Sequence, residues 1–451
     1  MDTDSPTGEI LRGLRQAQRK SLEDLVGPHL SHRRLELIEE GIEPTGDEIR
    51  LLAAKLNLAE SPAILREGLS PGRGQQIRQE LADAAAALAR GERTKARAGY
   101  AAVLADPALG SRPDLWQLTE LGLAQALEDD GHMTLAIDHL RHLLMVLAPN
   151  GEPLPPGAYE DLGLSEQRAR VAISLSRCLR EAGDLDASIQ VGEHAFAVEM
   201  AEDWSDRTVE LGATVLAAYL ERCAVPAGGE LTICQALAAV LMRAAERLGT
   251  PRALLAACRR AATVAAIAGD AQRSRRLGAR ALAALRQGPQ TVSAIRLRAQ
   301  LILDLLLASP AEHAQARRWL RQIRSELDHG VPTILDRAYC DLASAHIELA
   351  SGAAASAVHQ ADEIITRYPS ARTVGAAAQL VRARALSLAG RLRESAEALN
   401  AAGEQLVGMT APARASQAFA DCAAAWERCG EIEASTAAYR RALDTIGLTG
   451  A

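Results

Sequence analysis

From residue 91 onward the chain repeats a two-part signal: a glycine, then a small residue five positions later. The pairs are Gly91 and Ala96, Gly131 and Ala136, Gly183 and Ser188, Gly229 and Cys234, Gly269 and Ser274, Gly352 and Ala357, Gly390 and Ser395, and Gly430 and Ser435. Most successive glycines lie about 40 residues apart, and the 83-residue gap after Gly269 holds a further unit, Ala311 to Ile323, with Ala316 in the small slot. Glycine lets a chain reverse tightly, and a small side chain lets two antiparallel helices cross closely. One hairpin leaves its apolar face bare, so such units must stack on a shared core. The register predicts nine helical hairpins over residues 78–447.

Composition agrees with helix. Apolar residues make up 48% of the chain, mostly Ala and Leu, and the only phenylalanines are Phe196 and Phe419. Ala and Leu favour helix, whereas strands draw on β-branched and aromatic residues. An all-α protein is expected. No uncharged apolar run approaches the ~18 residues of a membrane span, and the acidic start Met1-Asp2-Thr3-Asp4 is unlike a secretory leader. Seven cysteines without a C-x-x-C pair fit small core residues of a reducing cytoplasm. No phosphate loop, dinucleotide fingerprint, nucleophile elbow or H-E-x-x-H occurs, so neither an enzyme nor a cofactor is expected.

Ahead of the repeats stands a unit of short helices. Ile10, Leu11 and Leu14 mark one face of the first, and Ser21 caps the second, which ends near Gly27-Pro28. Ser31 caps a third from His32 to Glu40, and Gly41 stops it. Thr45-Gly46-Asp47-Glu48 is a capping box for a fourth, and Ser61-Pro62 starts a fifth. Residues 1–69 read as one domain, 70–77 as a Pro/Gly linker and 78–451 as the repeat domain. Ala148 to Gly157 reads as a surface loop, and 285–290 as a shorter break.

The first unit resembles the helix-turn-helix of the phage-repressor (Cro/CI, or Xre) family. The resemblance rests on Leu22-Glu23-Asp24-Leu25, Leu30-Ser31, Leu35, Ile38-Glu39-Glu40-Gly41, Pro44 and Leu51-Leu52-Ala53-Ala54-Lys55-Leu56. It implies a recognition helix that enters the major groove of double-stranded operator DNA. That helix begins Ser31-His32-Arg33-Arg34, which implies His32 and Arg33 as base readers and Arg34 near phosphate. Arg12, Arg15, Arg19 and Lys20 would flank the DNA backbone. Over residues 1–70, nine basic residues face thirteen acidic ones. Phosphate neutralisation supplies most non-specific affinity, so a homodimer with two half-sites is expected.

The repeats resemble tetratricopeptide units, best in Gly183-Asp184-Leu185-Asp186-Ala187-Ser188 leading to Ala195-Phe196, and in Gly430 to Ser435 leading to Tyr439 and Ala442-Leu443. The resemblance implies a right-handed α-solenoid. A helix-turn-helix followed by such repeats is similar to the peptide-sensing RRNPP regulators of quorum sensing and to many actinobacterial regulators. In the RRNPP group asparagines clamp a peptide; here asparagine occurs only at 57, 150 and 400.

Counting six residues back from each glycine gives the positions expected to face the groove: Gln125, Arg177, Cys223, Thr263, His346, Arg384 and Ala424, with Arg170, Arg180, Tyr219 and Arg259 beside them. Arg170, Arg177, Arg180, Tyr219, Arg259, His346 and Arg384 are the candidate ligand-binding residues. An arginine-lined groove suits a small anionic effector or an acidic peptide, and pairing of those arginines with acids on adjacent repeats is the other use. His132, His139 and His142 have no evident acidic or cysteine partner, so no metal site is expected. Trp116, Trp204, Trp319 and Tyr439 are expected in the core. The sequence thus points to an effector-responsive, cytoplasmic DNA-binding regulator; the alternative is an adaptor that binds a partner protein and carries a vestigial helix-turn-helix.

Overall fold

The computed structural model describes residues 6–27, 30–58, 71–106, 109–147, 164–223, 229–287 and 293–448. Among them all regular structure is helical, apart from one isolated bridge between Gly27 and Leu30. None of these helices is long and apolar enough to cross a membrane. The expected fifth helix at 61–62 and the loop 148–157 lie outside the described residues. The chain divides into two compact units, 1–130 with 138–151, and 131–137 with 152–451. The division differs from the expected boundary near residue 70.

The first unit opens with α1 (Pro6–Ala17), α2 (Leu22–Leu25), α3 (His32–Glu39) and α4 (Gly46–Lys55). Ser21 and Thr45 form capping boxes, and the Ser31 side chain accepts from the Arg34 backbone N–H. Gly41, at φ 105°, ends α3 in a conformation that an L side chain resists. Leu11, Leu14, Leu25, Leu35, Ile38 and Leu52 close a small core. α5 (Pro71–Ala89), α6 (Arg93–Leu104), a 3-10 turn (Leu109–Ser111), α7 (Pro113–Asp129) and α8 (Met133–Leu147) follow. Residues 71–77, expected as linker, lie inside α5, because Arg73, Gln75 and Gln76 are good helix formers and proline suits a first turn, which outweighs Gly72 and Gly74.

α1 lies directly on the 3-10 turn. A Cβ on Gly110 would stand 2.6 Å from Leu14 Cα, and one on Gly13 would stand 2.3 Å from the Gly110 carbonyl oxygen. Backbone meets backbone there, which only glycine permits.

The second unit continues with α9 (Leu164–Ala182), α10 (Leu185–Glu202), α11 (Asp206–Arg222), α12 (Gly229–Leu248), α13 (Pro251–Ile267), α14 (Ala271–Gln287), α15 (Ala294–Ala308) and α16 (His313–His329). It ends with α17 (Ile334–Ala350), α18 (Ala354–Arg367), α19 (Arg372–Leu388), α20 (Leu392–Val407), α21 (Pro412–Arg428) and α22 (Ile432–Thr445). From α5 to α22 the helices pair as nine hairpins, as the register requires. Gly91, Gly131, Gly183, Gly269, Gly352, Gly390 and Gly430 all take positive φ at the reversals. Gly229 differs: it is the first residue of α12 and not a turn glycine.

The small slots are buried throughout, Cys234 and Ala316 included. Their hydroxyls also bond across the hairpin: Ser188 Oγ donates to the Ser176 carbonyl at 2.7 Å and Ser395 Oγ to that of Ala383 at 2.8 Å. A larger side chain would hold the two helices apart at these points.

Within the second unit the hairpins curl until α9 to α11 touch the α20–α21 region. A Cβ on Gly183 would stand 2.7 Å from Met409 Cγ. The Asp186 amide donates to Thr410 Oγ1 at 3.1 Å, and Arg414 donates to Glu221 at 2.9 Å. The first helices of successive hairpins therefore surround a common interior.

Candidate functional site

Seven first helices, α9 to α21, send charged and hydroxyl side chains into that interior. Glu181, at the end of α9, is fully buried and accepts from Tyr339 of α17 at 3.1 and 3.2 Å and from Thr373 of α19 at 2.8 Å. Arg180 beside it pairs with Glu181 and approaches Glu221 of α11 at 3.8 Å. Arg296 of α15 donates to Asp336 at 3.2 Å and to Thr333 at 3.1 Å. Thr263 of α13 donates to Asp304 of α15 at 3.0 Å, and Arg259 donates to Gln300.

Two of the arginines here are not matched by a close carboxylate. Arg260 makes no hydrogen bond or ion pair among the described residues. The Nε of Arg259 is buried without a hydrogen-bond partner. Both side chains keep partial access to the interior space although protein rings them. Burial and the neighbouring Arg180 bring the Arg260 guanidinium down to about 10. Burial, with Arg260, Arg180 and Arg296, holds Arg259 well below its ordinary value. Burial pushes the Asp304 carboxyl up to about 7, against the Thr263 bond and the two arginines. Burial also opposes the charge of Glu181, but Arg180 and Arg296 keep it ionised with a lowered pKa. Such an interior can accept an anion that supplies acceptors to Arg259 and Arg260.

The expected groove residues divide. Arg180 and Arg259 enter this cluster, as does Thr263. His346 stands near Arg384, and burial followed by that charge lowers the imidazole to about 4. Arg384 itself is exposed, as is Arg170, and Arg177 is half-buried on α9. Tyr219 points elsewhere: its hydroxyl donates to Glu193 of α10 at 2.6 Å. Cys223, also expected in the groove, is buried in the core 3.7 Å from Cys234. Arg260, Arg296, Asp304, Glu181 and Tyr339 were not anticipated. The unit that carries Arg296 and Asp304 lacks a turn glycine, so the counting rule had no origin there.

In the first unit, the eight expected DNA contacts also divide. Arg15 donates to both oxygens of buried Glu39 at 2.7 and 2.9 Å, and to the Lys20 carbonyl. Arg12 donates to the Glu39 carbonyl at 2.8 Å, and Lys20 Nζ to the Lys55 carbonyl. Arg34 forks onto Glu48 at 2.8 and 3.0 Å and holds that carboxyl down at about 2. Ser31 caps α3. Arg19, His32 and Arg33 are exposed. Arg33 pairs with Glu36 at 3.0 Å, and His32 lies 3.8 Å from Glu23 and 3.5 Å from Glu36.

Two smaller expectations change. Glu120 of α7 supplies the acidic partner that His139 and His142 were thought to lack; among the described residues no group of three ligands could hold a metal. Trp116 is buried, but Tyr439 is exposed and Trp319 lines a cleft.

The fold and interior define a helical-repeat solenoid with a charged interior. It is similar to the crystal structure of a Rap protein complexed with competence and sporulation factor, with a TM-score of 0.50 and 13% identity, covering 82% of this chain and 98% of the other. That likeness is one of fold. No family model matches the sequence, and no curated protein matches it.

Proposed function

We propose that this chain is a cytoplasmic DNA-binding regulator whose repeat array takes an anionic effector into its interior. The observation that carries the reading is Arg260, ringed by protein and without a hydrogen bond or ion pair among the described residues, beside the unpartnered Nε of Arg259. A free carboxylate, a phosphate or an acidic peptide would supply what these groups lack. The similar Rap structure holds a bound factor, which supports reading the array as a ligand holder. Because early and late hairpins touch, a ligand that bridges several repeats favours one superhelical pitch, and a homodimer seated on the array would pass that pitch to two recognition helices. DNA would meet the start of α3 through His32 and Arg33, with Arg19 and Arg12 toward the backbone. Exposed pairs such as Arg33 with Glu36 are worth about 0–1 kcal/mol, so phosphate can displace them.

A second reading has its own support. Arg15, Arg34 and Lys20 are committed to contacts within the bundle, which leaves a nearly neutral face. This favours an adaptor that binds a partner protein.

The test is enrichment of random duplex DNA on the purified full chain, alongside calorimetric titration with sulfate and a tetraglutamate peptide. A palindromic motif with saturable anion binding supports the regulator. Anion binding without DNA enrichment selects the adaptor, and no anion binding refutes the interior site.

A further inference from the structure

A cleft of about 500 Å3 opens between α14, α15 and α16, where two successive hairpins join. Its floor is Leu301 and Leu305 of α15 with Ile323 of α16, all buried. Trp319 of α16 and Leu282 of α14 form its walls. α14 contributes Gly278 and Ala279 to the seam, so it has no side chain there large enough to fill the space.

The cleft is distinct from the charged interior. Arg296, Gln300 and Asp304 recur every four residues on α15 and face inward. Arg298, Leu301 and Leu305 lie on another face of the same helix.

Its mouth is cationic. Arg275 and Arg298 stand at the rim, each paired with a glutamate: Arg275 with Glu312 at 2.9 Å, Arg298 with Glu326 at 2.5 Å. Arg286, also at the rim, has no carboxylate partner among the described residues. Small-molecule sites are clefts of roughly 300–1,000 Å3, mostly apolar with a few placed polar groups, and this one fits that description. An apolar floor favours release of its water to an apolar guest, and an unpaired guanidinium favours a carboxylate.

We propose that this cleft binds an amphiphilic organic carboxylate, its apolar body on Leu301, Leu305 and Trp319 and its head at Arg286. The test is calorimetric titration of the full chain with octanoate, and with octanol as the uncharged control. Octanoate should bind at one saturable site, with octanol weaker by roughly tenfold or more, the scale of a charge-assisted hydrogen bond. Ala279→Phe, at an exposed position on the cleft wall, should abolish octanoate binding with an unchanged melting temperature. Arg286→Gln, also exposed, should reduce octanoate to the octanol level, and Arg260→Ala should leave it untouched. Absence of saturable octanoate binding overturns the proposal. So does equal binding of octanol, wild-type affinity in both cleft variants, or loss of octanoate binding in Arg260→Ala.

Discussion

The backbone carbonyl of Gln16, in the last turn of α1, lies 2.8 Å from Nε2 of His142 on α8. The other ring nitrogen, Nδ1, faces Glu120 Oε1 at 3.2 Å, and the ring stands edge-on to Trp116 at 5.3 Å. Both ring nitrogens therefore face oxygen atoms, one from α1 and one from α7. His139 Nδ1 reaches the second oxygen of Glu120 at 2.5 Å. Burial opposes the charge on Glu120, but its bonds to His139 and His142 keep the carboxyl below the ordinary range. Together with the contact of Gly13 and Gly110, this ties α1 to the 3-10 turn, Glu120 and His142 within the first unit.

His142→Phe keeps an aromatic ring against Trp116 and loses both hydrogen bonds. It should destabilise the attachment of α1 by about 1.5–3 kcal/mol, the usual worth of bonds to charged groups. Amide exchange across residues 10–17 should quicken, while exchange in α13 and α19 stays as in the wild type. Gly110→Ala should do the same by overpacking against Leu14, at about 1–3 kcal/mol. Unchanged exchange in α1 of both variants would show that the attachment does not depend on this clasp.

Arg180 and Arg260 stand in one interior but should behave oppositely. Arg180→Ala removes the cation paired directly with the fully buried Glu181, and breaking a buried pair in this way costs about 3–5 kcal/mol. Arg260 makes no hydrogen bond or ion pair among the described residues and sits beside Arg180 and Arg259, so Arg260→Ala should keep or raise the melting temperature while it weakens sulfate binding. A large loss of stability in Arg260→Ala would instead mark it as a structural ion-pair member.

The nine hairpins were legible because a turn glycine and a buried small slot are local demands that leave local marks. The caps at Ser21, Ser31 and Thr45 were legible for the same reason. The charged interior was only half legible. Arg180 and Arg259 lie near their turn glycines, whereas Glu181 meets Tyr339 and Thr373 across 158 and 192 residues. Nothing in a helical period encodes that closure. Glu120 escaped notice because it reaches His139 from the preceding helix, and Tyr219 packs beside the core with its hydroxyl turned to Glu193 of α10.

On α3, neighbouring arginines serve different ends. Arg33 is exposed and lightly held by Glu36, whereas Arg34 forks onto Glu48. Arg33→Ala should leave the melting temperature unchanged and cost about 1–3 kcal/mol in operator binding if the contact is bidentate to guanine. Arg34→Ala should lower bundle stability, since it releases the carboxyl held near 2. Gel-shift titration and thermal unfolding of both variants separate the roles. Equal DNA affinity for wild type and Arg33→Ala would remove that residue from the interface.

At the proposed interior site, Asp304 should make anion binding depend on pH in the physiological range. Its carboxyl is pushed up to about 7 by burial, and Glu221 acts in the same direction, while the Thr263 bond, Arg260 and Arg259 oppose it. The folded value lies above the ordinary 3.8, so between these limits the folded chain holds a proton that the unfolded chain releases. The associated stability is fully present below about pH 4 and is lost as pH rises through about 7. His346 has the opposite sign: with a folded value of about 4 against 6.5, its contribution is present above 6.5 and lost as pH falls through about 4. It stays neutral between pH 6 and 8 and leaves that window to Asp304. Protonation there removes a negative charge beside Arg259 and Arg260, so sulfate, which does not titrate in this range, should bind more tightly at pH 6 than at pH 8. Binding near pH 7 should take up a proton, which titration in buffers of different ionisation enthalpy counts directly. Asp304→Asn should bind sulfate with the affinity that the wild type reaches at pH 6, at every pH in the window. A flat wild-type profile, or a slope that survives in Asp304→Asn, would place the anion away from this carboxyl.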